Sequence, residues 1–269
     1  MTSRSLAALA LALGLSACAS TGGHPKDPLE PLNRATFAFN EKADQYVMRP
    51  VAEAYDRVAP LPVKVGVGNF FGNIGDVWTG FNNLLQGKLS EGLSDAGRVL
   101  VNTTVGMLGL FDIATELGLE KHEEDLGQTL GWWGVGDGPY LVLPFLGASN
   151  LRDTLGLVGD LTVDPVWQVE EVATRNSLTG LRFVHKRHTL LGAETAAEQA
   201  ALDKYAYLRS FYIQYRLNQI HDGNPPRLKD PEDEEDEEAH IEGPASPLAG
   251  APAEPLIAVS SAPNPENQE

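Results

Sequence analysis

The hydrophobic positions of the chain recur mainly at helical spacing. Leu89, Leu93, Ala96 and Leu100 follow one another at intervals of four, three and four residues, which places them on one face of a helix continuing towards Val105. This stripe predicts an amphipathic helix in the middle of the chain.

Further helices are predicted from start signals and from the same period. We interpret Asn33 as the N-cap of an aromatic-rich helix that Pro50 ends or kinks. Two more helices are predicted over residues 166–177 and 198–220. Alternation of apolar and polar residues is confined to residues 63–67, so a large sheet is not expected. The predicted fold class is therefore all-α.

The middle of the chain combines dense glycine with stretches that carry no charge. Nineteen of the 27 glycines lie within residues 66–159, although a glycine inside a helix costs about 1 kcal/mol relative to alanine. The uncharged stretches span eleven to fourteen residues each: 65–75, 77–87, 99–111 and 138–151. Because a spanning helix needs roughly 17 to 25 residues, these stretches predict either buried core helices or short helices lying in the plane of a bilayer.

The N-terminus has the pattern of a signal peptide. Residues 1–17 combine a basic start, an apolar stretch of Leu and Ala, and small residues before Cys18. The single cysteine of the chain stands at the cleavage position, as in a bacterial lipobox; a chance cysteine is the alternative. We expect Cys18 to be the lipid-attachment site. Ala19 favours sorting to the outer membrane, on its periplasmic side, with residues 18–26 as a lipidated tether.

The acidic charge is concentrated at the C-terminus. Residues 223–269 hold twelve acidic and two basic residues, nine of the 18 prolines and no aromatic residue. We expect a disordered acidic, Pro-rich tail, because such a segment buries too little apolar surface to fold. Residues 27–222 then form one domain. A net charge of -17 without a basic patch argues against nucleic acid as a partner.

The chain contains little that predicts catalysis. It has no Gly-x-Ser-x-Gly elbow, no P-loop and no His-Glu-x-x-His motif. His185, His188 and Glu194 could suggest a metal site, but Lys186 and Arg187 between the histidines oppose a cation, so no metal is predicted. The run of His122, Glu123, Glu124 and Asp125 offers paired carboxylates, although a solvated turn or helix start explains it better.

A glycine-rich segment at residues 134–139 is harder to explain as a plain turn. Gly134, Gly136 and Gly138 alternate before Pro139, directly after two tryptophans. Spaced glycines let a backbone bend tightly and move, and Trp and Tyr favour membrane interfaces. The segment predicts a mobile hairpin at a membrane surface.

The order of short motifs is similar to that of the MlaA/VacJ family of outer-membrane lipoproteins, from the lipobox to about Asp222. The motif positions are Asp27, Pro28, Asn33, Arg34, Asn73, Gln86, Gly87, Gln128, Arg152 and Asp153. The resemblance implies one ring-shaped domain of mostly short amphipathic helices in the membrane plane, with a small glycine-rich hairpin. The long acidic tail departs from the family pattern.

The resemblance also implies a function without covalent chemistry or a cofactor. An amphipathic channel would remove mislocalised phospholipids from the outer leaflet and pass them to a periplasmic lipid carrier of the MlaC type, in association with a trimeric porin. Residues 134–139 match the family's hairpin beside the channel and would gate it. Two alternatives stay open: a lipid-cleaving enzyme using His122 with Glu123 or Asp125, and a structural lipoprotein that tethers the envelope.

Overall fold

The computed structural model describes residues 24–200 and 202–226, with side chains throughout except at 193–200. The predictions for Cys18, the signal peptide and the acidic tail beyond residue 226 lie outside these residues. The helices are α1 (Glu30–Ala43), a π-helical turn (Asp44–Met48), α2 (Arg49–Val58), α3 (Leu61–Leu85), α4 (Leu89–Thr104), α5 (Ile113–Glu116), α6 (Leu126–Trp132), α7 (Leu151–Val163), α8 (Val172–Ala200) and α9 (Lys204–Ile220).

One small sheet interrupts the helices. Strands β1 (Tyr140–Leu143) and β2 (Gly147–Asn150) pair antiparallel, with Tyr140 opposite Asn150 and Leu143 opposite Gly147. The all-α class is confirmed, with a single hairpin among the described residues.

The first helical region starts earlier and runs further than its signals predict. The N-cap position is Leu29, with a proline in the first turn of α1, so Asn33 lies inside the helix. Pro50 falls in the first turn of α2, directly after the π-helical turn. The chain therefore remains helical past this proline, because a widened turn accommodates the missing N–H donor.

Several other predicted boundaries differ from the structure. The alternating residues 63–67 lie within α3, where tertiary packing overrides a short local pattern. Residues 166–168 form a turn, and α8 begins only at Val172. The last helix begins at Lys204, since the carboxylate of Asp203 accepts the backbone N–H of Ala206 and caps it. Helices α3 and α8, of 25 and 29 residues, are longer than the short helices expected.

Helices α3 and α4 pack closely because glycine removes side chains at their contact. A Cβ at Gly92 would come within 2.8 Å of the Leu84 side chain and 3.1 Å of the Gly80 carbonyl oxygen. A Cβ at Gly80 would lie 3.1 Å from the Cβ of Asp95. The two glycines therefore bring the polar side chains of both helices together.

The predicted apolar stripe of α4 faces outwards rather than into a core. Leu93 is 70% exposed and Leu100 67%, while Asp95, Arg98 and Asn102 on the opposite face are buried. Among the described residues, eight hydrophobic side chains are buried against nineteen polar or charged ones, and forty large hydrophobic side chains are exposed. Soluble proteins distribute these classes the other way round.

None of the helices within the described ranges has both the length and the apolar character required to cross a membrane.

Candidate functional site

The buried polar side chains form clusters joined by hydrogen bonds, and Arg98 is the centre of the first. Its guanidinium is 1% exposed and donates to Asp76 at 3.2 Å and to both carboxylate oxygens of Asp112 at 3.0 Å. It also donates to the hydroxyl of Thr115 at 3.0 Å. Lys121 pairs with the other oxygen of Asp76. Each buried charge thus has a partner of opposite sign, as a buried ion requires.

A second cluster continues this polar interior towards the C-terminal end of α3. The side chain of Asn83 donates to Asp95 at 2.8 Å, and the Nδ1 of His122 contacts the same carboxylate at 2.9 Å. Gln86 donates to Thr129 at 3.0 Å and to Glu124 at 2.8 Å.

The third cluster surrounds Arg216 on α9 and joins three helices. Arg216 donates to both oxygens of Asp125 at 2.7 and 2.5 Å and to Asp153 at 2.8 Å. Arg152 and Tyr212 also donate to Asp153, at 2.9 and 2.6 Å. Asp125 caps α6 and Asp153 lies in the first turn of α7, so one guanidinium holds two helix N-termini.

Two opposing effects set the pKa values of these carboxyl groups. Burial by itself raises the pKa of Asp125 and of Asp153, but the hydrogen bonds and charge of Arg216 outweigh it, so both pKa values lie below their usual range. Burial and the charge of Asp153 raise the pKa of the Tyr212 phenol. The carboxyl groups are therefore ionised at neutral pH, and the phenol is neutral.

The fourth cluster attaches the start of the domain to the hairpin. Buried Asp27 accepts hydrogen bonds from Asn33 at 2.8 Å, from the hydroxyl of Tyr205 at 2.5 Å and from Arg209 at 2.8 Å. Asn33 also donates to the carbonyl of Tyr140 at 2.9 Å and accepts the backbone N–H of Val142 at 2.9 Å. Asn33 therefore does not cap a helix as predicted. Its side chain anchors β1 to α1.

The glycine-rich segment precedes the hairpin instead of forming it. Residues 134–139 connect α6 to β1, and the hairpin turn lies at residues 144–146. Gly134 and Gly138 adopt positive φ angles of 87° and 66°, which glycine alone adopts readily. No heavy atom lies within 4 Å of a Cβ placed at Gly136. The predicted hairpin at 134–139 is thus corrected to a connection between α6 and β1, here called the glycine connection.

A cavity of about 180 Å³ lies against the glycine connection. Its polar wall includes Lys26, Asp137 and Arg152, and its apolar wall includes Leu217 and Ile220 of α9. Lys26 and Asp137 pair at 2.7 Å, so the connection is tied to the last residue of the predicted tether. The cavity is therefore lined by both polar and apolar side chains.

The predicted motif positions fall into these clusters. Asp27, Asn33, Asn73, Gln86, Gln128, Arg152 and Asp153 are buried. Arg34 is half-exposed and pairs with Glu30 and Asp203, while Pro28 is exposed in the turn before α1. Gly87 has a φ of 80° where α3 ends.

Sequence reasoning missed Asp76, Arg98, Asp112, Arg209 and Arg216. A signal for part of this set exists in α3, where Asn73, Asp76, Gly80 and Asn83 recur at three, four and three residues. A polar stripe with helical period in an otherwise apolar helix indicates a buried polar face.

The residues considered for catalysis have structural partners. His122 is bound to Asp95, Glu124 to Gln86 and Lys88, and Asp125 to Arg216. His188 lies 3.3 Å from Asp56. No group of three His, Cys, Asp or Glu able to hold a metal ion occurs among the described side chains.

Comparison with known proteins gives consistent matches. The model of the MlaA lipoprotein family matches residues 25–219. The intermembrane phospholipid transport system lipoprotein MlaA of Escherichia coli (strain K12) is 37% identical over 218 residues, which cover 76% of this chain and 85% of that protein. An uncharacterized protein of Rickettsia bellii (strain RML369-C) is 35% identical over 191 residues, covering 71% of this chain and 75% of its own.

One solved structure is similar over most of the described chain. It comes from work on the "Structural basis for maintenance of bacterial outer membrane lipid asymmetry", and it matches with a TM-score of 0.64 and 31% identity over 72% of this chain and 98% of that chain. The family match spans well over half of the 269 residues. The chain belongs to the MlaA lipoprotein family.

Proposed function

We propose that this protein is an outer-membrane lipoprotein that moves phospholipids out of the outer leaflet through its polar interior. The observation that carries the proposal is the inverted distribution of side chains, with charged groups such as Arg98, Asp153 and Arg216 inside and large hydrophobic side chains outside. An apolar exterior is stable in acyl chains. Moving a charged headgroup through hydrocarbon costs several kcal/mol of free energy. A polar interior lowers this barrier.

The proposed arrangement is a ring of helices in the periplasmic leaflet, anchored by acyl chains on Cys18. The lack of a spanning helix among the described residues agrees with helices lying in the membrane plane. Several acyl chains on one residue exceed the two signals that stable anchoring requires.

The glycine connection is the proposed gate. It borders the amphipathic cavity and has open space at Gly136, so a small backbone movement changes access to the cavity. The relatives of this chain in Shigella flexneri and Escherichia coli are named for intermembrane phospholipid transport, the activity that such a gate would serve.

A trimeric porin and a periplasmic lipid carrier of the MlaC type are the proposed partners. A passive pore cannot bias an equilibrium, so the carrier that accepts lipid determines the direction of net flow.

The test is the phospholipid content of the cell surface in a strain lacking the protein. We expect surface phospholipid to rise in the deletion strain and to return to the parental level when the gene is restored. Unchanged surface phospholipid, with the product confirmed absent, would contradict the proposal.

A further inference from the structure

A second, smaller polar pocket lies between α3, α4 and the chain that follows α4. Its volume is about 60 Å³, which is enough for a few water-sized groups. Its walls include Asn73, Asp76, Arg98, Asn102, Asp112 and Lys121. The pocket is thus lined almost entirely by groups that can donate or accept hydrogen bonds.

Asn73 provides an acceptor in this pocket that no protein group uses. The residue is 8% exposed, and its Nδ2 donates to the hydroxyl of Thr103 at 3.0 Å. Its Oδ1 is buried and accepts no hydrogen bond from any residue that the structure describes. An unpaired buried oxygen costs about 1–3 kcal/mol, so the pocket calls for a ligand that donates.

The charges around the pocket favour a cationic donor. Asp76 binds Arg98 through one oxygen and Lys121 through the other. Although burial raises the pKa of Asp112, hydrogen bonds from Thr115, Asn102 and Arg98 lower it to about 2, which keeps this carboxyl ionised. Without Lys121, two carboxylates face one guanidinium, and the pocket has a net negative charge.

Lys121 is the cation that can leave. Arg98 is 1% exposed and held by several hydrogen bonds, whereas the Lys121 side chain is 40% exposed. A Cβ at Gly72 would lie 3.3 Å from the Lys121 Nζ, so glycine keeps this edge of the pocket open. A primary ammonium therefore already occupies the place where another would bind.

The pocket edge adjoins an apolar surface. The side chain of Asn69, at this edge, donates to the carbonyl of Leu110 at 3.2 Å. Leu110 and Phe111 are both exposed. A ligand with an ammonium group and acyl chains can use both surfaces.

We propose that this pocket binds the ammonium of an ethanolamine phospholipid in exchange for Lys121. The lipid ammonium would donate to Asp76 and to the free Oδ1 of Asn73, so the protein would prefer ethanolamine to glycerol headgroups. The inference rests on the proposed function and names the headgroup that it selects.

The test measures which lipid stays bound. The full-length, lipidated protein is equilibrated with vesicles of equal phosphatidylethanolamine and phosphatidylglycerol with identical acyl chains. It is then extracted in detergent, and its retained lipid is identified by mass spectrometry. We expect the wild type to retain ethanolamine lipid in excess.

Two variants have opposite expected effects, which a merely structural role would not produce. Asn73→Leu keeps the branched shape of the side chain but removes the acceptor oxygen. It should lower the ratio of retained ethanolamine lipid to glycerol lipid about tenfold, because a hydrogen bond to a charged group is lost. Lys121→Gln removes the competing ammonium and should raise the ratio. Lys204→Gln, which breaks a surface pair with Glu41, is the control and should leave it unchanged.

The outcomes separate this inference from the proposed function. A wild-type ratio equal to that of the vesicles, or a shift in the same direction by Asn73→Leu and Lys121→Gln, would overturn the headgroup assignment even if the protein moves lipid. Displacement of the lipid by free ethanolamine at equal concentration would identify a soluble amine as the ligand and also overturn it. If Asn73→Leu fails to fold, Asn73→Asp replaces it, with an expected rise in the ratio; a fall would contradict the proposal.

Discussion

Single residues in the interior are stabilised by charge pairing that compensates for burial. Arg98 and Arg216 each contact two carboxylates, and each is nearly enclosed by the helices that supply them. Removing one of these guanidinium groups leaves its two carboxylates without their main partner, at a cost of about 3–5 kcal/mol. Each of these charged groups therefore depends on its neighbours to remain buried in its ionised form.

Asp112 makes this dependence measurable as a function of pH. Its pKa in the folded protein is about 2, below the value of about 3.9 expected in the unfolded chain. The stabilisation it provides, at most about 2 kcal/mol, is complete above about pH 4 and is lost as the pH falls towards 2. We expect Asp112→Asn to unfold at a lower temperature than the wild type at pH 7. The two unfolding temperatures should approach each other near pH 2.5.

Thermal unfolding in mild detergent at several pH values checks this prediction. Glu53→Gln, at a surface carboxyl on α2, is the control and should have a small effect at each pH. A difference between wild type and Asp112→Asn that grows as the pH falls would be incompatible with the proposed pairing.

At the scale of helices and connections, glycine sets how closely elements approach and how freely they move. Gly80 and Gly92 allow contact between α3 and α4, whereas Gly136 has open space around its Cβ position. The same residue type therefore has two physical roles in one domain.

Two glycines of α4 provide a matched pair for the packing role. Gly92→Ala would place a Cβ 2.8 Å from Leu84, whereas Gly97→Ala would place one 3.5 Å from Leu119, an ordinary contact. We expect Gly92→Ala to reduce the free energy of unfolding by about 1–3 kcal/mol through overpacking. Gly97→Ala should increase it by up to about 1 kcal/mol through helix propensity. Equal effects of both substitutions on denaturant unfolding would argue against close packing at Gly92.

The glycine connection is tested by stiffening it. Gly136→Pro restricts the backbone, and we expect impaired lipid removal with an unchanged amount of protein, measured as surface phospholipid in complemented cells. Gly136→Ala meets no neighbour within 4 Å and should behave nearly as the wild type. Normal lipid asymmetry with Gly136→Pro would count against a gating role.

At the scale of the whole molecule, the apolar exterior and the predicted anchor point to the same environment. Forty large hydrophobic side chains are exposed among the described residues, far beyond the scattered few that a soluble surface carries. Burial in acyl chains would remove these side chains from water.

The anchor predicts a clear phenotype for one substitution. Cys18→Ser removes the thiol that would be acylated, so we expect no labelling by a radioactive fatty acid and poor retention in the outer-membrane fraction. Ser20→Ala, two residues further on, should be labelled and retained normally. Normal labelling of Cys18→Ser would exclude this cysteine as the attachment site.

The sequence by itself determined the helical class, the helix from Leu89 onwards and, through the order of its motifs, the family. These features depend on local spacing and on short motifs, which a linear chain displays directly. It also showed that glycine is concentrated in the middle of the chain, within residues 66–159.

Only the tertiary structure decided which face of each helix points inwards. The spacing of Leu89, Leu93 and Leu100 defines a stripe but not its direction, because an amphipathic helix has the same period in water and in lipid. The partners of Arg98 and Arg216 lie up to 91 residues away in sequence, and their charges are compatible with burial only when the fold brings those partners together.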